Sequence, residues 1–221
     1  MSRNAAASRS RSSRAASPNG VCRGGDGRSS RAGTKNSPIV VFEAGQITAI
    51  RHHWRFDAAF SAFATQGLDA DGDGALTREE LQPLAQVNVE SLSEYGFFTG
   101  LAVGDYEAGF AAPTDYWLEQ DGDRLILHYT LPLARPLAAK GEVELVISDP
   151  DYFVAFSLPN TLAVRLDDAP AGCSVVVHPG RKLDDSAAAM LATIGPDQRE
   201  LPEEMKDLTA GTDNSAVVTC P

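Results

Sequence analysis

At 221 residues with 43% hydrophobic content, the chain is long enough to bury one good core and too short for two unrelated full-size domains, so one main domain with appendages is expected. The formal net charge of −11 is a split: residues 1 to 37 hold eight Arg and Lys against the single acid Asp26, whereas residues 38 to 221 hold 11 against 29, making the arm +7 and the body −18. An acidic body repels nucleic acid and anionic lipid and attracts cations, which disfavours a body-centred nucleic-acid or anionic-membrane function; no run approaches the roughly 18 apolar residues of a spanning helix either.

Residues 1 to 37 are Arg, Ser, Ala and Gly with almost no large apolar side chain, so they read as a disordered basic arm. They lack the roughly 7-residue apolar core of a signal peptide. A start-site or reading-frame error in the gene model would equally produce the abrupt change of composition near Pro38. From Ile39 the pattern is β-like: Ile39 to Glu43, a turn at Ala44-Gly45, then Gln46 to Phe56, together a hairpin. Phe56, Ala59, Phe60 and Phe63 recur at helical spacing, which predicts a helix over 56–66 with its aromatic stripe on the core. A second helix is predicted from about Thr77 to Glu94, with Leu81, Leu84, Ala85, Asn88 and Leu92 near one face and an early kink at Pro83.

Between these helices lies Asp69-Ala-Asp-Gly-Asp-Gly-Ala-Leu-Thr-Arg-Glu-Glu80, which matches the twelve-position EF-hand loop at each diagnostic place. Asp69, Asp71 and Asp73 supply carboxylates at positions 1, 3 and 5. Gly74 permits the sharp bend, Ala75 offers its carbonyl, Thr77 can hold a bridging water, and Glu80 closes the shell as a bidentate ligand. Leu76 points to the core, and Thr77 with Glu80 makes a capping box for the exiting helix. Calcium is therefore the expected cofactor. The bland alternative is an acidic Gly-rich turn. No second loop has the spaced ligands, so a lone hand of the weaker, structural kind is expected, fixing the helix pair, at 56–95, against the β-body.

Beyond Tyr95 short strands are predicted at Phe97 to Val103, Tyr106 to Ala111, Asp115 to Glu119, Arg124 to Pro132, Glu142 to Ser148, Val154 to Leu158 and Leu162 to Leu166. Helices are expected over 184–194 and 198–208, and a closing strand at Ala216 to Cys220. No internal repeat is visible. The fold class is thus α+β, with a mainly antiparallel, sandwich-like body over 38–221, a helix–loop–helix insertion and short C-terminal helices. Cys173 and Cys220 each sit in a β-like run near the two ends of a C-terminal segment. A disulfide would tie the tail to the body and imply an oxidising compartment; two reduced buried thiols are the alternative. Cys22 is left unpaired.

Adjacent strand side chains point to opposite faces, so His52 and His53 cannot easily chelate one ion; one packed and one solvated histidine are expected. His128 and His178 lie in separate strands without a motif. The sequence carries no nucleophile elbow, zinc-protease helix, phosphate loop or dinucleotide fingerprint, so no enzyme and no small-molecule substrate are expected. Glu119, Asp121 and Asp123 read as a solvated turn.

Several strings together resemble a known family: Gly45 to Asp57, Phe60-Ser-Ala-Phe63, the acidic loop, Val87 to Leu92, Asp149-Pro-Asp-Tyr-Phe-Val-Ala-Phe156 and Ala169 to Cys173. The chain from about Ile39 to Cys220 is similar to an uncharacterised bacterial periplasmic family, the domain of unknown function 1007. The resemblance implies a secreted, periplasmic, non-enzymatic protein that accompanies a membrane permease for nickel, cobalt or zinc and assists movement of a transition metal. Members of that family usually carry a signal peptide and then a His-Pro-His stretch, and neither is present here. The alternatives are a calcium-stabilised protein-interaction module without a transition-metal role, and a cytoplasmic calcium buffer.

Overall fold

The computed structural model describes residues 33–149, 151, 154–158, 160, 162–194 and 200–221. In chain order the elements are β1 (Gly33–Asn36), β2 (Ile39–Glu43), β3 (Gln46–Phe56), α1 (Ala58–Ala64), α2 (Arg78–Leu92), a 3₁₀ segment (Ser93–Phe98), β4 (Thr99–Val103), β5 (Tyr106–Glu107), β6 (Thr114–Asp121), β7 (Arg124–Ala138), β8 (Gly141–Ile147), β9 (Ala155–Ser157), β10 (Arg165–Asp167), β11 (Ser174–His178), α3 (Asp185–Leu191), α4 (Glu203–Lys206), a 3₁₀ turn (Asp207–Thr209) and β12 (Asn214–Cys220). The class is α+β and mostly sheet.

Two sheets form the body. A seven-stranded sheet is built around the long β3, which pairs with β2 and β1 along one edge and with β7 along the other; β7 pairs on with the edge strand β6. A five-stranded sheet has the order β11-β12-β8-β4-β5. Among the described residues, pairing is antiparallel except at β1/β9 and β10/β2. The β2–β3 hairpin turns where expected, with φ of 49° at Ala44 and 79° at Gly45, the left-handed pair that a two-residue turn requires.

Alternation along β3 buries Ile50, His52, Trp54 and Phe56 on one face. A register shift between Ile47 and Ala49 puts Ala49 and Ile50 both inside. One end of this face meets the smaller sheet, in a core of residues such as Val40, Ile50, Leu101, Leu145, Ile147 and Val218. The other end meets α1 and α2, in a core that includes Trp54, Phe60, Leu81, Ala85, Leu127 and Tyr129. Leu81 alone, wholly buried, contributes about 2 kcal/mol on an area basis.

Asp57 ends β3 and starts α1: Oδ1 accepts the Phe60 N–H at 2.8 Å, and Oδ2 accepts the Gly33 N–H at 2.7 Å, which fastens the start of β1. On α2, Leu81, Ala85, Asn88 and Leu92 are buried as their spacing predicts, with Leu84 partly buried. α2 continues through Pro83 as one helix.

Three expectations are corrected. Gly33–Asn36, assigned to the arm, form a strand with Thr34 and Asn36 buried, so the body starts earlier; residues 1 to 32 of that arm lie outside the described residues. Of the expected stripe, Phe56 is buried at the end of β3 and Phe60 on α1, where Ser61 and Ala64 are buried too; Ala59 and Phe63 are exposed, because Phe63 falls on the side of the short helix turned from the sheet. The strand expected from Phe97 begins only at Thr99. Gly96, Phe97 and Phe98 take φ of 56°, 57° and 51°, a left-handed turn that drives both phenyl rings into the core, where burial offsets a backbone cost of about 1–2 kcal/mol per residue. The helix expected over 198–208 is α4 and its 3₁₀ continuation; 198 and 199 lie outside the described residues.

Candidate metal centre

Residues 65–77 connect α1 to α2, and the twelve residues from Asp69 to Glu80 run from this connection into the first turn of α2. Gly67, Gly72 and Gly74 at φ of 76°, 75° and 83° let the chain curl tightly. Within that curl carboxylates bind backbone amides of their own loop. Asp69 accepts from Gly72 at 2.7 Å through Oδ1 and from Gly74 at 3.0 Å through Oδ2. Asp71 accepts from Asp73 at 3.1 Å, and Asp73 from Ala75 at 2.8 Å. These bonds turn the carboxylates of Asp69, Asp71 and Asp73 toward one another, with one oxygen from each lying within 4.8 Å of the others. Like charges this close repel, so the arrangement favours a cation.

Glu80 stands outside that trio. Its Oε1 accepts the Ala70 N–H at 2.7 Å and its Oε2 accepts the Thr77 N–H and hydroxyl, each at 2.9 Å, so one carboxylate spans both ends of the loop. The Thr77 hydroxyl accepts the Glu80 N–H at 3.3 Å, completing the capping box. The Thr77 amide, then the Ala70 amide and the Thr77 hydroxyl, hold the Glu80 carboxyl below its usual range. Leu76 packs against the helix–sheet core and anchors an otherwise exposed loop.

The histidines are placed in more detail than their sequence suggested. His52 is wholly buried, as the packed member of its pair. Trp54 Nε1, which can only donate, lies 3.3 Å from His52 Nδ1, and Asn36 Nδ2 lies 3.2 Å away; Nδ1 is therefore the acceptor and Nε2 carries the proton, 3.4 Å from Thr99 Oγ1. Burial, and secondarily the His53 charge, pushes the His52 pKa down to about 3. His53 is half-buried, not solvated as expected, with Nδ1 3.1 Å from the Ser37 carbonyl. His178 is exposed on β11.

His128, which carries no motif in the sequence, lies directly opposite His53 across β3 and β7. Trp117 stacks on it at 4.5 Å, and the Arg78 guanidinium lies 4.5 Å over Trp117, linking the first residue of α2 to the far side of β6. No local motif announces this row, since it exists only once three strands are in register. Of the acids around the Asp121–Asp123 turn, Asp121 pairs with Arg55 and Asp123 with Arg124, while Glu119 Oε1 lies 3.0 Å from His128 Nε2.

Cys173 and Cys220 are bridged, closing 47 residues and fixing the end of β12. No helix among the described residues is long and apolar enough to cross a membrane. Neither a curated protein nor a solved structure gives a match. A family model described as a protein of unknown function, DUF1007, matches residues 34–220, from the first strand to the bridged cysteine. That span takes in both sheets, the helix pair and the acidic loop, and the chain belongs to the DUF1007 family.

Proposed function

We propose that residues 69–80 are an EF-hand calcium site, and that the ion fixes the helix pair on the sheet of a non-enzymatic, extracytoplasmic protein. The observation that supports this most is the gathering of Asp69, Asp71 and Asp73 between two helices, with Glu80 poised at the loop's end. Asp69, Asp71, Asp73 and Glu80 supply carboxylate oxygens, Ala75 its carbonyl and Thr77 a water-mediated contact. A hard cation with flexible, oxygen-rich coordination suits that donor set, and a single extracellular-type site has a Kd of about 0.1–1 mM. The Cys173–Cys220 bridge supports an oxidising compartment, the periplasm on the family resemblance. The same resemblance makes the protein an accessory to a permease for nickel, cobalt or zinc.

The test is the melting temperature of wild type and Glu80→Gln in chelator and in calcium. At a calcium concentration of about 100 Kd the wild type gains about 2.7 kcal/mol, a shift of several degrees. Glu80→Gln keeps the size and removes the charge, and most of that shift is lost. An equal calcium shift in the variant would remove Glu80 from the ligand set.

A further inference from the structure

The face of the large sheet turned away from both cores carries a second set of cation donors. His53 on β3 and His128 on β7 are direct cross-strand partners, their ring centroids 4.8 Å apart and their planes perpendicular. Glu119, on the edge strand β6, places Oε1 3.0 Å from His128 Nε2. His128 is only 9% exposed beneath Trp117, yet neither ring nitrogen makes a hydrogen bond, the Glu119 contact being close but badly angled. A buried polar atom left unbonded costs about 1–3 kcal/mol, so this imidazole offers a lone pair in want of a partner.

His53 is oriented for the same task. The Ser37 carbonyl can only accept, so Nδ1 carries the proton and Nε2 keeps its lone pair, the arrangement that fixes the tautomer of metal-binding histidines. Burial, aided by nearby His128, Arg165 and Arg51, outweighs the Ser37 bond and holds the His53 imidazole below its usual range. The two arginines also oppose a cation. Arg51 is partly offset by its ion pair to Asp167, and Glu119 brings a negative charge to the donors.

We infer that His53, His128 and Glu119 form a site for a borderline-soft divalent cation of the zinc, nickel or cobalt class. Two imidazoles and one carboxylate suit such ions and leave room for water; calcium prefers oxygen donors. Glu119 already lies against His128, but the donor atoms of all three residues are not gathered within 4.8 Å as those of the aspartate trio are, so occupancy requires the His53 donor and the His128–Glu119 pair to close on each other. This inference goes beyond the calcium reading and stands without it.

The test is titration of the full chain, held in excess calcium, with cobalt(II), followed by its visible absorbance and by elemental analysis. One cobalt per chain is expected. His53→Asn and His128→Gln should each weaken binding about 100-fold, and Glu119→Gln about 10-fold, as losses at or above those of outer-shell partners. His178→Ala and Glu80→Gln should bind cobalt like wild type, the latter separating this site from the calcium loop. The inference is overturned by no stoichiometric uptake in wild type, by undiminished uptake in His53→Asn, or by loss in His178→Ala, which would mark adventitious binding at an exposed histidine. Should His128→Gln fail to fold, His53→Asn, at a half-buried position, decides alone.

Discussion

His52 lies near the junction of the two cores, stacked on Tyr129 at 4.7 Å and accepting from Trp54. Its folded pKa, about 3, lies below the ordinary 6.5, so between those values the unfolded chain binds the extra proton. Stability from this group is fully present above about pH 6.5 and is lost as pH falls toward 3, at about 1.4 kcal/mol per unit. Denaturant unfolding at pH 6.5 and at about pH 5 should therefore differ by about 2 kcal/mol from His52. His52→Gln retains an acceptor and cannot titrate, so its pH slope should flatten by that amount; an unchanged slope would move the proton uptake elsewhere.

The helix–loop–helix was legible in the sequence because its signals are local: apolar spacing on either side, glycines at the bends and a capping box at the start of α2. The β2–β3 hairpin was legible for the same reason, as alternation broken by Ala44-Gly45. β1 was not, since Gly-Thr-Lys-Asn has no apolar side chain and Thr34 as its one β-branched residue; it forms because β3 and β9 flank it and Asp57 fastens its first amide. Phe97 and Phe98 read as strand, and only tertiary burial explains their left-handed turn. The His53–His128–Trp117 row depends on the β3/β7 and β6/β7 registers, which no single segment encodes. Asp57→Ala tests this coupling of elements. It removes the cap of α1 and the anchor of β1 together, and should cost about 1–2 kcal/mol in chemical denaturation. A cost within about 0.5 kcal/mol of zero would mean that neither contact matters to stability.

Among the described residues of the acidic body are a loop of hard oxygen donors and a sheet face with imidazoles. Arg78 joins them, since it lies within the loop as the first residue of α2 and sits over Trp117. The Cys173–Cys220 bridge closes the fold at its C-terminal end, where β12 lies between β11 and β8. In the chain-entropy model a loop of 47 residues is worth about 4 kcal/mol, so Cys220→Ser or full reduction should lower the unfolding free energy by about 2–5 kcal/mol. Superimposable denaturation curves with and without reductant would contradict that.

The most direct test of the central claim is calcium stoichiometry, measured by equilibrium dialysis of the full chain followed by elemental analysis, for wild type beside Glu80→Gln. One calcium per chain in the wild type, with a Kd of about 0.1–1 mM and a clear loss in the variant, is the predicted result. No saturable calcium in the wild type, or one equally well retained by Glu80→Gln, would show that residues 69–80 are an acidic turn and not a calcium site.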